Sequence, residues 1–459
     1  YRFGVVTLDQ TLLNIRGAAG DKAGNPALVA EAIVVCIVLP LAAAVALVAV
    51  LAWRRRVRGA RGTARVRRHP VLPGALSLTV ALAILLTVTG VPQYASALLG
   101  DASFAPYYVA PGTPVPPSKP KNLVTIYLES GENTFADASL FGSNLLSDLD
   151  DATAGWAHYE GLQQYPGGGW TMAGLIGTQC GIPLKSDLLT AGVDHNLFGE
   201  QVDSFLPGAR CLGDVLHEAG YTNVFLGGAN SKFAGKGTFL MDHGYDFVYG
   251  LENWEAEGEA RENISIWGMS DHQLFAHATE RIDTLRAAGR PFNLTMLTLD
   301  THEPGGVYPT CRTDDDVAMA TAIRCSMQAV GGFLEHLRTN GYLEDTVVVV
   351  MGDHLKATAE GGFYKAELDA QPDRTIVLRV WSPDGTVRFA RERADQFSML
   401  PTTLDLLGLG SRDGRAGLGL SLIGERDPAG TALTLPPSDY AALMGSPSSD
   451  LYRLFWQKP

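Results

Sequence analysis

Residues 122–129 read NLVTIYLE, seven strand-forming positions that run straight into a carboxylate. The pattern recurs at 293–300 (NLTMLTLD, followed by Thr301 and His302) and at 345–354 (DTVVVVMGDH). Short, mostly apolar runs of this kind read as strands. Two more, 223–227 (NVFLG) and 376–381 (IVLRVW), join them. Between them lie longer stretches at 212–219, 270–288, 316–339 and 395–407 that read as helices. The alternation predicts an α/β domain with a mostly parallel central sheet over residues 122–459. In such sheets ligands collect outside the carboxyl ends of the strands. Glu129, Asp300, His302, Asp353 and His354 are therefore expected on one rim.

Two carboxylates and an imidazole, Glu129, Asp353 and His354, are a suitable set for a divalent ion such as Mn²⁺ or Zn²⁺. A single acid after a strand is an ordinary turn cap. Three strand ends of the same kind point instead to a metal site.

A second stretch supplies what such a metal would activate. Residues 167–184 read GGGWTMAGLIGTQCGIPL. Three glycines free the backbone to turn, Thr171 follows almost at once, and Met172, Leu175 and Ile176 open a helix at helical spacing. A hydroxyl on the first turn of a helix sits where the dipole favours a negative group. Alone this is an ordinary helix start with Thr171 as N-cap. Beside a metal, the hydroxyl becomes a nucleophile with a lowered pKa. The glycines then read as clearance for a phosphate or sulfate ester approaching Thr171. Thr178 is the nearby competitor and is expected to point away from the rim.

The charge is split along the chain. Residues 1–101 carry 11 Lys and Arg against 4 Asp and Glu, whereas the remainder carries 25 against 45. An acidic bulk argues against a nucleic-acid partner. Residues 32–53 and 71–92 are uncharged apolar runs of membrane-spanning length, about 33 Å each as helices. The loop between them holds eight arginines and no acid in RRRVRGARGTARVRRH, which places it on the cytoplasmic side and both flanks outside. The chain begins at Tyr1 rather than Met, so further membrane helices upstream are expected. Six prolines fall within residues 102–121, read as an extended linker lifting a domain off the membrane. Of five cysteines, Cys36 lies in an apolar run and four lie in the outward domain. Four cysteines allow three pairings; the expected one is Cys180–Cys211 with Cys311–Cys325.

The order LES (Glu129), GGGWT (Thr171), THEP (His302) and GDH (Asp353, His354) resembles the alkaline phosphatase/sulfatase superfamily. More narrowly the chain resembles the bacterial membrane-bound phosphoglycerol transferases, in their glucan-modifying branch. The match covers most of the ectodomain: WTMAGLIGTQCGIPL, LPGARCLGDVLHEAGYTNVFLGGANSKFAGKGTFLMDHGYD and VVVVMGDHLK. The resemblance implies a sulfatase-like α/β/α sandwich outside a bacterial cell membrane. It implies Thr171 as nucleophile and metal ligand, with Glu129, Asp353 and His354 completing a site for Mn²⁺, or for Mg²⁺ or Zn²⁺. It places His302 near the transferred phosphate and implies phosphatidylglycerol as donor with an envelope glycan as acceptor. Lys236 falls where lipoteichoic acid synthases carry a substrate-binding Arg, and Gly227 where that branch has a His. Trp170, beside the nucleophile, is a further substrate-binding candidate. The Cys-x-Pro-Ser-Arg type motif that sulfatases mature to formylglycine is absent from the Thr171 region. His272, in SDHQ, reads as part of a helix start capped by Ser270.

Overall fold

The computed structural model describes residues 102–185, 203–311, 315–358, 361–446 and 448–457, together with Val50. The runs 32–53 and 71–92 and the arginine-rich loop lie outside these apart from Val50. Among the described residues no helix is long and apolar enough to cross a membrane.

Seven strands form one sheet: β1 (Asn122–Leu128), β2 (Ala157–His158), β3 (Thr222–Gly227), β4 (Phe247–Tyr249), β5 (Phe292–Leu297), β6 (Thr346–Gly352) and β7 (Leu378–Trp381). Their order across the sheet is β2-β7-β6-β1-β5-β3-β4. The five strands from β6 to β4 run parallel, and β7 is antiparallel to both its neighbours. All seven residues of β1 and of β6 are buried, as expected of central parallel strands covered on both faces.

The helices that matter for the site are α1 (Ser147–Ala152), α2 (Thr171–Cys180), α3 (Lys236–Asp242), α4 (Asp271–Ala287), α5 (Ala318–Thr339) and α6 (Met399–Leu407). Val124, Ile126 and Leu128 of β1 and Val348 and Val350 of β6 pack in one core with Phe275, Ala278 and Ile282 of α4 and Val330, Phe333, Leu334 and Leu337 of α5. Side chains alternate along a strand, so Tyr127 faces the opposite layer. There its hydroxyl shares a 2.8 Å hydrogen bond with Thr178 of α2. Helices thus cover both faces of the sheet.

The register positions the site. Leu128 is level with Gly352, and Tyr127 with Leu297. The residues that follow, Glu129 and Asp353, leave the sheet side by side.

The differences from expectation are local. The strand expected at 293–299 stops at Leu297, because Thr298 turns to accept a hydrogen bond from the Glu129 N–H at 2.8 Å. The helix expected at 395–407 is divided. Asp395 caps Phe397 N–H at 3.1 Å, a 3-10 turn spans Gln396–Ser398, and α6 begins at Met399. The start of the proline-rich segment lies against the domain instead of standing free of it. Phe104 is buried, with its N–H donating to Ser448 Oγ at 2.9 Å, and Val109 exchanges backbone hydrogen bonds with Gly417.

Candidate active site

Glu129 opens the loop after β1, and two neighbours hold it. Thr298 Oγ1 accepts its N–H, and the Thr301 hydroxyl donates to its carbonyl at 2.5 Å. Ser130 adopts φ +56°, a left-handed conformation unusual for a residue with a side chain. That turn lets Ser130 donate twice: its N–H to Asp353 Oδ1 at 2.9 Å and its hydroxyl to Glu129 Oε1 at 2.8 Å. Strain of this kind persists where the surroundings hold it in place.

Thr171 is the first residue of α2, and Trp170 is its N-cap. The Thr171 hydroxyl is therefore not spent on the helix end. It donates to Glu129 Oε2 at 3.1 Å. Gly167 supplies the turn before it, at φ +100°. The clearance that the other two glycines provide goes to the protein's own side chains and not to a substrate. A Cβ on Gly168 would meet Gln396 Oε1 at 2.5 Å and the Tyr165 ring at 2.7 Å, and one on Gly169 would meet Gln164 at 3.0 Å. Gln396 in turn donates to the Asp353 carbonyl at 2.6 Å, and Gln164 accepts the Leu355 N–H at 2.8 Å. The glycine turn is thereby tied to the loop after β6. Thr178 bonds to Tyr127 and to the Gly174 carbonyl inside the layer, away from the rim.

Ligating atoms of Glu129, Asp353 and His354 all lie within 4.8 Å of one another, and all three residues are buried. The arrangement suits a cation. His354 directs Nδ1 to the Leu355 carbonyl at 2.8 Å, which leaves Nε2 facing Glu129 Oε1 at 3.5 Å and Asp353 Oδ2 at 3.6 Å. Asp353 Oδ1 accepts two backbone N–H groups, whereas the buried Oδ2 has no hydrogen-bond partner. A buried orphan oxygen is costly unless something positive meets it. Burial and the charge of Glu129 push the Asp353 carboxyl up to about 8. Burial also acts on Glu129, but the His354 and His302 rings and the Ser130 hydroxyl outweigh it and hold that carboxyl down to about 2. A divalent ion would relieve the conflict. The other cluster of this type among the described residues, Cys211 with Asp214 and His243, has its sulfur in a disulfide.

His302 follows β5 and packs on the Trp267 ring, centroids 4.1 Å apart. Its Nδ1 faces the Glu303 carbonyl at 3.2 Å, which leaves Nε2 for another partner. Lys236, the first residue of α3, is buried, with its ammonium 5.9 Å from the centre of the Phe225 ring. Burial lowers its pKa to about 8 against the pull of Glu129, Glu252 and Asp353. Phe225 also occupies the space beside Gly227, where a Cβ would approach its ring at 2.9 Å. Trp170 is half-buried beside Thr171. Asp300 does not join the metal group. Its Oδ2 accepts the Asp271 N–H at 3.0 Å, and Asp271 in return accepts the Leu299 N–H at 2.7 Å, pinning the His302 loop to the start of α4. Ser270 caps that helix through Gln273 N–H, which leaves His272 outside the site. Cys180 at the end of α2 is bonded to Cys211, and Cys311 to Cys325.

The sequence reading missed a buried charge network behind the site. Glu132, fully buried, takes Arg374 at both oxygens and also accepts the Lys356 N–H at 3.0 Å. The Lys356 ammonium pairs with Glu303, next to His302. The network thus joins the loop after β6 to the His302 loop. Its one legible signal was Lys356, two residues past His354 in GDHLK.

The family model described as Sulfatase matches residues 168–409. Among curated relatives, a phosphoglycerol transferase I of Xanthomonas campestris pv. campestris (strain B100) is 35% identical over 334 residues, covering 71% of this chain and 46% of the relative. A phosphoglycerol transferase I of Escherichia coli O127:H6 is 34% identical over 373 residues, 78% of this chain and 47% of the relative. The chain spans about half the length of these curated relatives. Among solved structures, a Vibrio parahaemolyticus protein of the alkaline phosphatase superfamily aligns with TM-score 0.53 at 21% identity, over 77% of this chain and 91% of that one. The lipoteichoic acid synthase LtaP of Listeria monocytogenes aligns with TM-score 0.50 at 17% identity, over 67% and 75%. At these identities the likeness is one of fold.

Proposed function

The chain belongs to the sulfatase family, and from that premise we propose that it is a membrane-anchored phosphoglycerol transferase working outside the cytoplasm. The donor is phosphatidylglycerol, the acceptor a glycan hydroxyl, and Thr171 carries the phosphoglycerol between them. One observation carries this reading. The hydroxyl of Thr171 lies against Glu129, in the same cluster as an Asp353 oxygen that has no partner. The names of the curated relatives support the choice of phosphoglycerol over other groups.

Glu129, Asp353, His354 and Thr171 would hold the divalent ion, Mn²⁺ or else Mg²⁺ or Zn²⁺. When bound, that ion lowers the pKa of a hydroxyl and neutralises charge on phosphoryl oxygens. The chain's own residues do the rest. In the first half-reaction the bond from Thr171 Oγ1 to phosphorus forms as the bond from phosphorus to the diacylglycerol oxygen breaks. In the second, the acceptor oxygen bonds to phosphorus and Thr171 is released. In the first half-reaction His302 Nε2 passes the Thr171 proton to the diacylglycerol oxygen, and in the second it returns the acceptor's proton to Thr171 Oγ1, so that one proton crosses from acceptor to diacylglycerol over the cycle. Lys236 steadies the phosphoryl oxygens as a point charge. Positioning and electrostatics supply most of the rate.

The test is intact mass after exposing the full chain to headgroup-labelled phosphatidylglycerol with Mn²⁺. A glycerophosphate adduct on Thr171 and release of diacylglycerol are expected. Thr171→Ala should keep its thermal unfolding and lose both. Retained turnover in that variant would refute the nucleophile. Label that ends only on free glycerol phosphate, never on a glycan, would make the protein a hydrolase.

A further inference from the structure

Three loops at the carboxyl edge of the sheet expose large apolar side chains around His302. Phe233 lies on the loop between β3 and α3, Ile266 on the loop before α4, and Val307 on the loop that carries His302. They are 46%, 85% and 52% exposed. The loops are joined to each other and to the site. Phe233 stands edge-on to Trp267, centroids 6.4 Å apart, and Trp267 packs on His302 and donates to the Glu303 carbonyl at 2.8 Å. The Met269 N–H bonds to the Gly228 carbonyl at 3.0 Å, which fastens the Ile266 loop to the end of β3. Exposed apolar side chains on loops tethered beside a candidate site mark an interaction surface.

We infer that this rim is a bilayer-docking surface. Phe233, Ile266 and Val307 enter the acyl boundary of the membrane and bring His302 and Thr171 to the headgroup layer. The inference deepens the proposed reading and rests on its lipid donor and on 71–92 as a membrane span. Two features favour a bilayer over a second copy of the chain. Phe104 is fixed in the domain, and the 11 residues 93–103 are at most about 40 Å of chain between it and the apolar run 71–92. The apolar group also adjoins the catalytic histidine, so a protein partner seated there would close the donor's way in. A Trp set back behind Phe and Ile, with the exposed Lys232 beside them, is the composition of membrane-interface segments.

The test uses the full chain reconstituted in phosphatidylglycerol vesicles, with Cys36 replaced by Ala and a fluorophore placed through Ile266→Cys or Arg290→Cys. Arg290 is exposed and precedes the amino end of β5, about 20 Å from the rim along the strand. Spin-labelled phospholipid should quench the label at 266 several-fold more than the label at 290. Equal quenching would overturn the inference, as would a label at 266 shielded from water but untouched by spin-labelled lipid. A second arm measures turnover. Phe233→Ser with Ile266→Ser should cut release of diacylglycerol from vesicles about tenfold. The same pair should leave turnover of a short-chain, monomeric phosphatidylglycerol unchanged. An equal loss on both substrates would assign the two residues to the reaction itself and overturn docking. A wild-type chain that turns over neither lipid would refute the donor, while the quenching comparison would still decide the surface.

Discussion

Gly174 sets how closely α2 approaches the loop after β6, at Asp353. A Cβ at this position would lie 2.1 Å from the Asp353 carbonyl oxygen and 2.9 Å from its carbon. In an exposed helix, Gly→Ala gains about 1 kcal/mol. Here carbon and oxygen must separate by roughly 1 Å more to reach ordinary contact, and neither atom belongs to a flexible side chain. Overpacking of this kind costs about 1–3 kcal/mol, so Gly174→Ala is expected to be destabilising on balance by about 0–2 kcal/mol. The kinetic effect is larger. Thr171 lies one turn earlier on the same helix, and Asp353 is the residue displaced. A shift of about 1 Å between a nucleophile and its activating group costs on the order of a hundredfold in rate. The control is Gly332→Ala on α5, where a Cβ meets nothing within 4 Å. That variant should gain stability and keep its turnover. Thermal unfolding and diacylglycerol release on both variants decide the matter. If Gly174→Ala behaves like Gly332→Ala, the close contact does not set the site.

Glu132→Ala should cost about 3–5 kcal/mol, because it strands the Arg374 guanidinium in a site where the acid is fully buried; chemical denaturation reads this directly. The buried Asp271–Asp300 pair gives a pH dependence of defined sign. Burial pushes Asp271 up to about 6, and burial with the neighbouring Asp271 charge raises Asp300 too. The folded state therefore keeps protons that the unfolded chain has released above about pH 4, and their contribution to stability is lost as pH rises through 6. Asp300→Asn removes the repulsion, so its unfolding temperature should fall less than that of the wild type between pH 5 and 8; parallel curves would contradict this. Loss of the Cys180–Cys211 bond, which closes a span of 31 residues, should cost about 3–4 kcal/mol in the chain-entropy model, read as the difference between unfolding of the wild type and of Cys180→Ala with Cys211→Ala.

What was legible in the sequence follows from how locally each feature is encoded. Five strands could be read because short, mostly apolar runs alternate with longer amphipathic stretches. The rim could be read because the residue after each such run must emerge at the same edge. β2 and β4, two and three residues long, carry too little pattern to be seen. The glycines of GGGWT were seen but given the wrong neighbour. Their clearance is for Tyr165 and for Gln396, more than 200 residues later, and no local pattern announces that contact. The Glu132–Arg374 pair is hidden in the same way by a separation of 242 residues. The proline-rich segment reads as a free linker on composition alone, whereas Phe104 finds a buried place against the carboxyl-terminal part of the chain.

The charges explain why a lysine at position 236 is compatible with the proposed substrate. In the proposed site Glu129 and Asp353, with a neutral His354 and the Thr171 hydroxyl still protonated, would balance one divalent ion. A phosphodiester brings one further negative charge, and the Lys236 ammonium, buried and held among acids, balances that. The site is thus neutral with a diester bound. A phosphate monoester dianion would leave a buried excess of one negative charge, which is costly in a site of low dielectric. On this count the site favours diesters over monoesters, and Lys236→Met should remove that preference along with most of the affinity. The discriminating measurement is kcat/KM for phosphatidylglycerol against that for glycerol phosphate. The ratio should collapse in the variant, and an unchanged ratio would show that the lysine does not act through its charge.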